Sequence, residues 1–237
     1  MAWETSGWQA SSSSGAADSI LVQESQRAFM SRVHGWMFIG LLVTGFTAAL
    51  TFSNPEVFET VMQWRLGFVV AQLGAVFALS FLAPRLSGPV AAVLFLGYSA
   101  LTGMTLSVLM AIYTMGSLAQ AFFLTATVYG AMALYGTVTK KNLSAWGTFL
   151  FMGLVGVVLA SVVNLFLRSD AMGFVVACAS VVVFAGLTAY DTQKLRAMHT
   201  GAGYNSIAAL SIVGALRLYL DFINLFIALL RLTGSRR

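Results

Sequence analysis

Apolar residues fall along this chain in long continuous runs broken by short polar stretches. They show none of the alternating segments of about ten residues that a membrane barrel strand needs. A helix rises about 1.5 Å per residue, so about 20 apolar residues cross a hydrocarbon layer of about 30 Å. The first run covers residues 33–52 and is closed by the turn-forming Ser53-Asn54-Pro55. A second covers 66–84. Between Arg85 and Lys140 lie 54 residues, 86 to 139, without a charge. That is too long for one crossing and right for two, with Gly116-Ser117 as the expected turn. A fifth span is expected at 145–167 after Lys140-Lys141-Asn142, and a sixth from 171 to at least 190. The last apolar stretch, 203–232, is interrupted by Arg217 and Asp221. The pattern predicts an all-α polytopic membrane protein of seven transmembrane helices.

Composition agrees. Hydrophobic residues make up 59% of the 237 and charged residues 9%, with a mean hydropathy of +0.85. A soluble domain has about 45–50% apolar and about 25% charged residues, so a water-soluble globule is excluded. Glycines number 22 and prolines 3, in keeping with membrane helices that approach closely through small residues. The lone Cys178 cannot form an internal disulfide. The net charge of +5 is scattered through loops with no basic face, so nucleic acid is not an expected partner and the lipid bilayer is. Residues 1–26 are serine-rich and carry acids but no base, unlike a signal peptide. They are expected to form a mobile polar tail ahead of one membrane domain, 27–237, with no internal repeat.

With a cytoplasmic N-terminus, Arg27, Arg32, Arg85, Lys140, Lys141, Lys194 and Arg196 fall inside. Arg65, Arg168, Arg231, Arg236 and Arg237 then fall outside, a bias of seven to five. If the last segment re-entered instead of crossing, the bias would be ten to two, so both topologies stay open. Trp36, Trp64 and Trp146 stand at expected span ends, as interfacial anchors do.

Six of the eight acidic residues lie in tail or loops; the exceptions are Asp191, ending the sixth span, and Asp221, inside the seventh. An intramembrane carboxylate costs about 2.5–3.5 kcal/mol even on insertion scales and marks a functional site. Asp221 has a plain structural reading as an ion pair with Arg217, one turn away on the same helix face. Asp191 has one as the polar end of a helix entering the loop from Lys194 to Arg196. Brought together, the two would hold one proton or one cation between them, a pH sensor or a cation site. If the sixth helix reaches residue 200 and the seventh begins at 203, Asp191 lies about 14 Å and Asp221 about 27 Å from that end. A meeting of the pair therefore predicts that the last span starts late, near Ser211, with 204–210 along the interface.

Other chemistries fail. A Schiff-base retinal site needs a lysine deep in a span, and Lys140, Lys141 and Lys194 all stand at helix ends. Intramembrane hydrolysis needs a histidine in a span, while His34 starts a helix and His199 is in a loop. No phosphate-cradling glycine loop occurs. Ser99, Gly103 and Ser107, four residues apart, read as a helix-packing stripe.

The segments Gly186-Leu187-Thr188-Ala189-Tyr190-Asp191-Thr192-Gln193-Lys194 and Leu218-Tyr219-Leu220-Asp221-Phe222-Ile223-Asn224-Leu225-Phe226, with Leu229-Leu230-Arg231 after them, resemble the signature of the Bax inhibitor-1 family, in its bacterial branch. The resemblance runs from Arg27 to the C-terminus. It implies seven helices with the last one central, wrapped by the other six, and a calcium-permeable cation leak gated by an aspartate pair and by pH. Asp191 and Asp221 match that pair, and Arg85 matches a second-helix arginine that exchanges a salt bridge with the last-helix aspartate. Arg231 matches an arginine that closes the opposite end. The chain departs from a bacterial relative at Ala71-Gln72-Leu73-Gly74, where that relative has a pore-facing glutamate, and at Arg217, where it has a small polar residue.

Residues and resemblance together lead to one expectation: a pH-sensitive calcium leak, not an enzyme, without cofactor, in a bacterial inner membrane. Asp191, Asp221, Arg85, Arg217 and Arg231 would sense and gate, with Asp191 and Asp221 meeting the cation. The alternative is a non-conducting regulatory protein bound to a membrane protein partner such as a protease or stress-response complex. A proton-coupled exchanger is a third reading.

Overall fold

The computed structural model describes residues 6–82, 85–198 and 206–237. Among them the chain forms eight helices: α1 (Ser6–Ser53), α2 (Pro55–Gln63), α3 (Arg65–Leu82), α4 (Gly88–Ile112), α5 (Met115–Val138), α6 (Ser144–Leu167), α7 (Asp170–Ala197) and α8 (Ile207–Thr233). Seven are long and apolar enough to cross a membrane, α1 through Leu21–Ser53 and α3 to α8 over their full lengths. The polar residues ahead of the first span continue into α1 without a break from Ser6.

The helix boundaries follow local chemistry. Asn54 accepts a hydrogen bond from the Val57 N–H and Pro55 takes the first helical position, so the polar punctuation after α1 starts a short helix as well as ending a long one. This helix, α2, has nine residues and spans about 14 Å, too short to cross. It was not apparent from the turn residues alone. The α4–α5 turn lies at Tyr113-Thr114 and not at Gly116-Ser117. Thr114 Oγ1 accepts from the Ser117 N–H, which draws Gly116 and Ser117 into the first turn of α5. The sixth span runs past Tyr190 to Ala197.

The last helix is the core. The apolar window of α8 is 72% buried, against at most 33% in any other span. Direct packing comes from α1, α4, α5 and α7, while α3 rests mainly on α4 and α6 on α7. The central position is as the resemblance implies, but four helices form the inner ring and two an outer layer. Small residues let the ring close. Ser99, Gly103 and Ser107 are all buried, and Gly103 leaves no room for a Cβ beside Thr44 and Thr47 of α1. At that contact Thr44 Oγ1 lies 2.9 Å from the Ser99 carbonyl and 2.6 Å from the Tyr219 hydroxyl, tying α1, α4 and α8 together. Trp64 and Trp146 are exposed beside helix ends, whereas Trp36 packs against the core.

Candidate functional site

Asp221 sits midway along α8 and is 4% exposed. Its Oδ2 is buried without a hydrogen-bond partner among the described residues. An orphaned carboxylate oxygen in an apolar helix core is costly unless it carries a proton or meets a cation.

The register of α7 against α8 brings Asp191 to it. A Cβ on Gly214 would lie 2.9 Å from Leu195 Cδ2, so those two positions are level. Asp191 stands four residues back from Leu195 and Asp221 seven on from Gly214, about 6 and 10.5 Å along antiparallel axes. The carboxyls thus differ in depth by only about 4–5 Å. This corrects the expected start of the last helix. It begins at Ile207, capped by Ser206, and not near Ser211. The two helices do not end level: about the first turn and a half of α8 projects beyond the end of α7, with Gly88 of α4 packed against Ala208.

The half-buried Asp191 and the buried Asp221 interact electrostatically, and the Arg217 guanidinium acts on both. Among the described residues no hydrogen bond or contact-distance ion pair joins Arg217 to Asp221, so the simple one-turn ion pair is not what the helix builds. Lys194, at the outer rim of α7, adds positive charge near Asp191 and lies 3.2 Å from the Tyr190 hydroxyl. From α5, Tyr129 feels both aspartates, its hydroxyl 3.1 Å from Met37 Sδ. With both carboxyls ionised, two negative charges lie in the bundle with only the Arg217 guanidinium acting on both, since Lys194 acts on Asp191 alone from the rim. One proton on the pair relieves the repulsion between the two carboxylates.

The other expected residues lie elsewhere. Arg85 is exposed between α3 and α4, three residues before Gly88. The contact of Gly88 with Ala208 is 13 residues, about 20 Å along α8, from Asp221. The structure does not bring Arg85 to the pair. Arg231 is in the last turn of α8, ten residues or about 15 Å from Asp221 on the opposite side. Gln72, where a relative has glutamate, donates to the Leu101 carbonyl at 3.0 Å and is hydrogen-bonded to Thr105. His34 bonds the Met30 carbonyl of its own helix, and His199 lies outside the described residues.

A cavity of about 1070 Å³ opens at the Arg231 end between α6, α7 and α8. It extends to Asn224, three residues from Asp221 on the same helix face. Asn224 was legible as the i+3 neighbour of the aspartate; Tyr129, from a distant helix, had no local signal.

The family model described as "Inhibitor of apoptosis-promoting Bax1" matches residues 26–237. The chain belongs to the Bax inhibitor-1 family. Within it, the Escherichia coli K12 protein named "Inner membrane protein YbhL" is 48% identical over 217 residues, covering 89% of this chain and 93% of that protein. A Deinococcus radiodurans relative is 45% identical over 211 residues, covering 89% and 91%. One from Rickettsia prowazekii is 42% identical over 217 residues, covering 90% and 92%.

As a Bax inhibitor-1 family site, the pair is small. No group of three or more metal-ligating side chains occurs among the described residues. Calcium takes six to eight oxygens, and two carboxylates beside a guanidinium supply at most four. The donor set does not fit a resident calcium ion, and the unbonded Asp221 Oδ2 can carry a proton.

Proposed function

We propose that this protein is a pH-sensitive cation leak of a bacterial inner membrane, with calcium as the transported cation and a cytoplasmic N-terminus. The observation that carries the reading is the orphaned Asp221 Oδ2 on the central helix, beside Asp191 and Arg217. A proton shared by the pair removes the repulsion between the carboxylates and lets α7 and α8 stay packed. As pH rises the proton is lost, the two carboxylates repel, and the α7–α8 contact loosens to let a cation through. Arg217 is the counter-charge at hand for the bared carboxylate; recruiting Arg85 would require movement of α3 and α4. The inner-membrane location rests on the seven apolar helices and on the name of the Escherichia coli relative.

Purified protein in liposomes is expected to pass calcium faster as pH rises, and Asp221→Asn to flatten that dependence. A variant with the wild-type pH profile overturns the mechanism. The engagement of Gln72 with Thr105 and Leu101 favours a second reading. With no acid on that helix to receive a cation, the protein would regulate a membrane partner without conducting. Background flux at every pH, with a cellular phenotype that survives Asp221→Asn, would support it.

A further inference from the structure

We propose that the cavity between α6, α7 and α8 binds an anionic phospholipid, its phosphate among Arg168, Arg231 and Arg236 and an acyl chain along α6. The site does not depend on the conduction reading. Its charge is the first argument. Three arginines and one acid, Asp170, line the cavity. They lie on the side opposite Lys140, Lys141 and Lys194, where basic residues should be scarce if the N-terminus is cytoplasmic. Of the five arginines that weaken the charge bias, three converge here. A bound phosphate gives them a common purpose.

These arginines are also held in place. Arg168 caps α6 at φ 50°, the one non-glycine residue with positive φ among the described residues. Glycine is the ordinary choice at such a helix end, since a Cβ is strained there. The Asn164 carbonyl accepts the Arg168 N–H at 2.8 Å and Asn164 Oδ1 the Ser169 N–H at 3.1 Å, fixing the turn. Keeping arginine where glycine would fold more easily points to use of the side chain. Arg236 is fixed by an antiparallel bridge to Tyr113, flanked by hydrogen bonds from Thr114 N–H to the Ser235 carbonyl and from Arg237 N–H to the Ile112 carbonyl.

The lining below the arginines selects lipid over free phosphate. Val158, Val162 and Leu165 line the cavity at i, i+4 and i+7 on α6, and all three are exposed. From Val158 to Arg168 the helix covers about 15 Å, half of a hydrocarbon layer of about 30 Å and so the depth of one leaflet. Because α6 packs mainly on α7, that stripe faces α8 across an open crevice.

Native mass spectrometry of the full-length protein in detergent, with phosphatidylglycerol or phosphatidylcholine of identical chains added, tests the assignment. Phosphatidylglycerol is expected to bind at least about tenfold more tightly, and Arg168→Gly or Arg231→Gln to weaken it by about tenfold or more. Arg65→Gln, on the same membrane side but outside the cavity, should bind as wild type. Arg168→Gly should not lower the melting temperature, because glycine relaxes the left-handed turn. Equal retention of the two lipids, or undiminished phosphatidylglycerol binding by both cavity variants, overturns the proposal. Displacement of the lipid by equimolar inorganic phosphate would make the site one for free anions and overturn the lipid assignment.

Discussion

Gly214 of α8 lies level with Leu195 of α7, close enough that a Cβ would approach Leu195 Cδ2 to 2.9 Å. This contact sets the depth of every charged group in the centre of the bundle. One turn back from Leu195 is Asp191, three residues on from Gly214 is Arg217, and a further turn on is Asp221. Arg217 therefore lies at nearly the depth of Asp191 and one turn from Asp221, so its charge acts on both carboxyls without a contact-distance bond to Asp221. The site is a property of helix register, and substitutions that shift the register should disturb it as much as substitutions of the charges.

Gly136 of α5 tests that idea. A Cβ there would collide with the backbone of Ala189, two residues before Asp191, and backbone cannot swing aside as a side chain can. Gly136→Ala should cost about 1–3 kcal/mol by forcing α5 from α7. Gly156→Ala, which meets nothing within 4 Å, should be neutral or slightly stabilising. Thermal unfolding in detergent compares the two; equal stability would mean the α5–α7 contact is looser than the structure has it.

Arg217 supplies the positive charge felt by both aspartates. Without it a bared carboxylate is harder to sustain, so more alkaline conditions are needed to release the shared proton. In the proposed leak, Arg217→Gln should move the midpoint of calcium flux to higher pH. Arg217→Lys should keep most of the wild-type profile. A midpoint that stays put in the glutamine variant would remove Arg217 from the proposed gate.

Tyr219 is fully buried against Thr44, which also donates toward the Gly40 and Ser99 carbonyls, each at 2.9 Å. Tyr219→Phe removes one partner and leaves Thr44 bonded, so it should cost about 1 kcal/mol. Thr44→Val leaves the Tyr219 hydroxyl with Thr102 and Ser99 as partners, so it should also cost about 1 kcal/mol. Neither should alter the pH dependence of flux. Melting curves and flux profiles on the same preparations separate the α1–α4–α8 packing knot from the aspartate site.

Much of this architecture was legible in the chain, because hydrocarbon demands uninterrupted apolar runs and any charge inside one stands out. Asp191 and Asp221 were visible for that reason, and Ser99, Gly103 and Ser107 showed their packing face by spacing alone. What escaped depended on relations between helices. Residues 207–210 are apolar whether they begin a helix or lie along an interface, and only the Gly214–Leu195 register decides between them. The α4–α5 turn was misplaced by three residues because glycine and serine suit a helix's first turn as well as a loop, and the capping hydroxyl of Thr114 settles the choice. The separation of about 20 Å along α8 between the level of Gly88, near Arg85, and Asp221 is likewise a relation between helices that a sequence motif does not carry.

The membrane side of the C-terminus follows from the continuity of α8 and from what its end is bonded to. The helix runs unbroken for 27 residues, about 40 Å, and the chain after it pairs with the α4–α5 turn. Ser235 N–H donates to Ser117 Oγ at 2.9 Å, which holds the terminus on the side where α5 begins. The start of α6 is on the other side, one crossing later. In a Cys178→Ser background, Ser235→Cys and Met115→Cys should therefore react together with a membrane-impermeant maleimide, and Ser144→Cys should not. With the N-terminus cytoplasmic, the first two are labelled in intact cells and Ser144→Cys only after permeabilisation. The reverse order would invert the whole protein yet keep the seven crossings. Labelling of Ser235→Cys together with Ser144→Cys would mean that the last helix does not cross, which its length and its bond to Ser117 argue against.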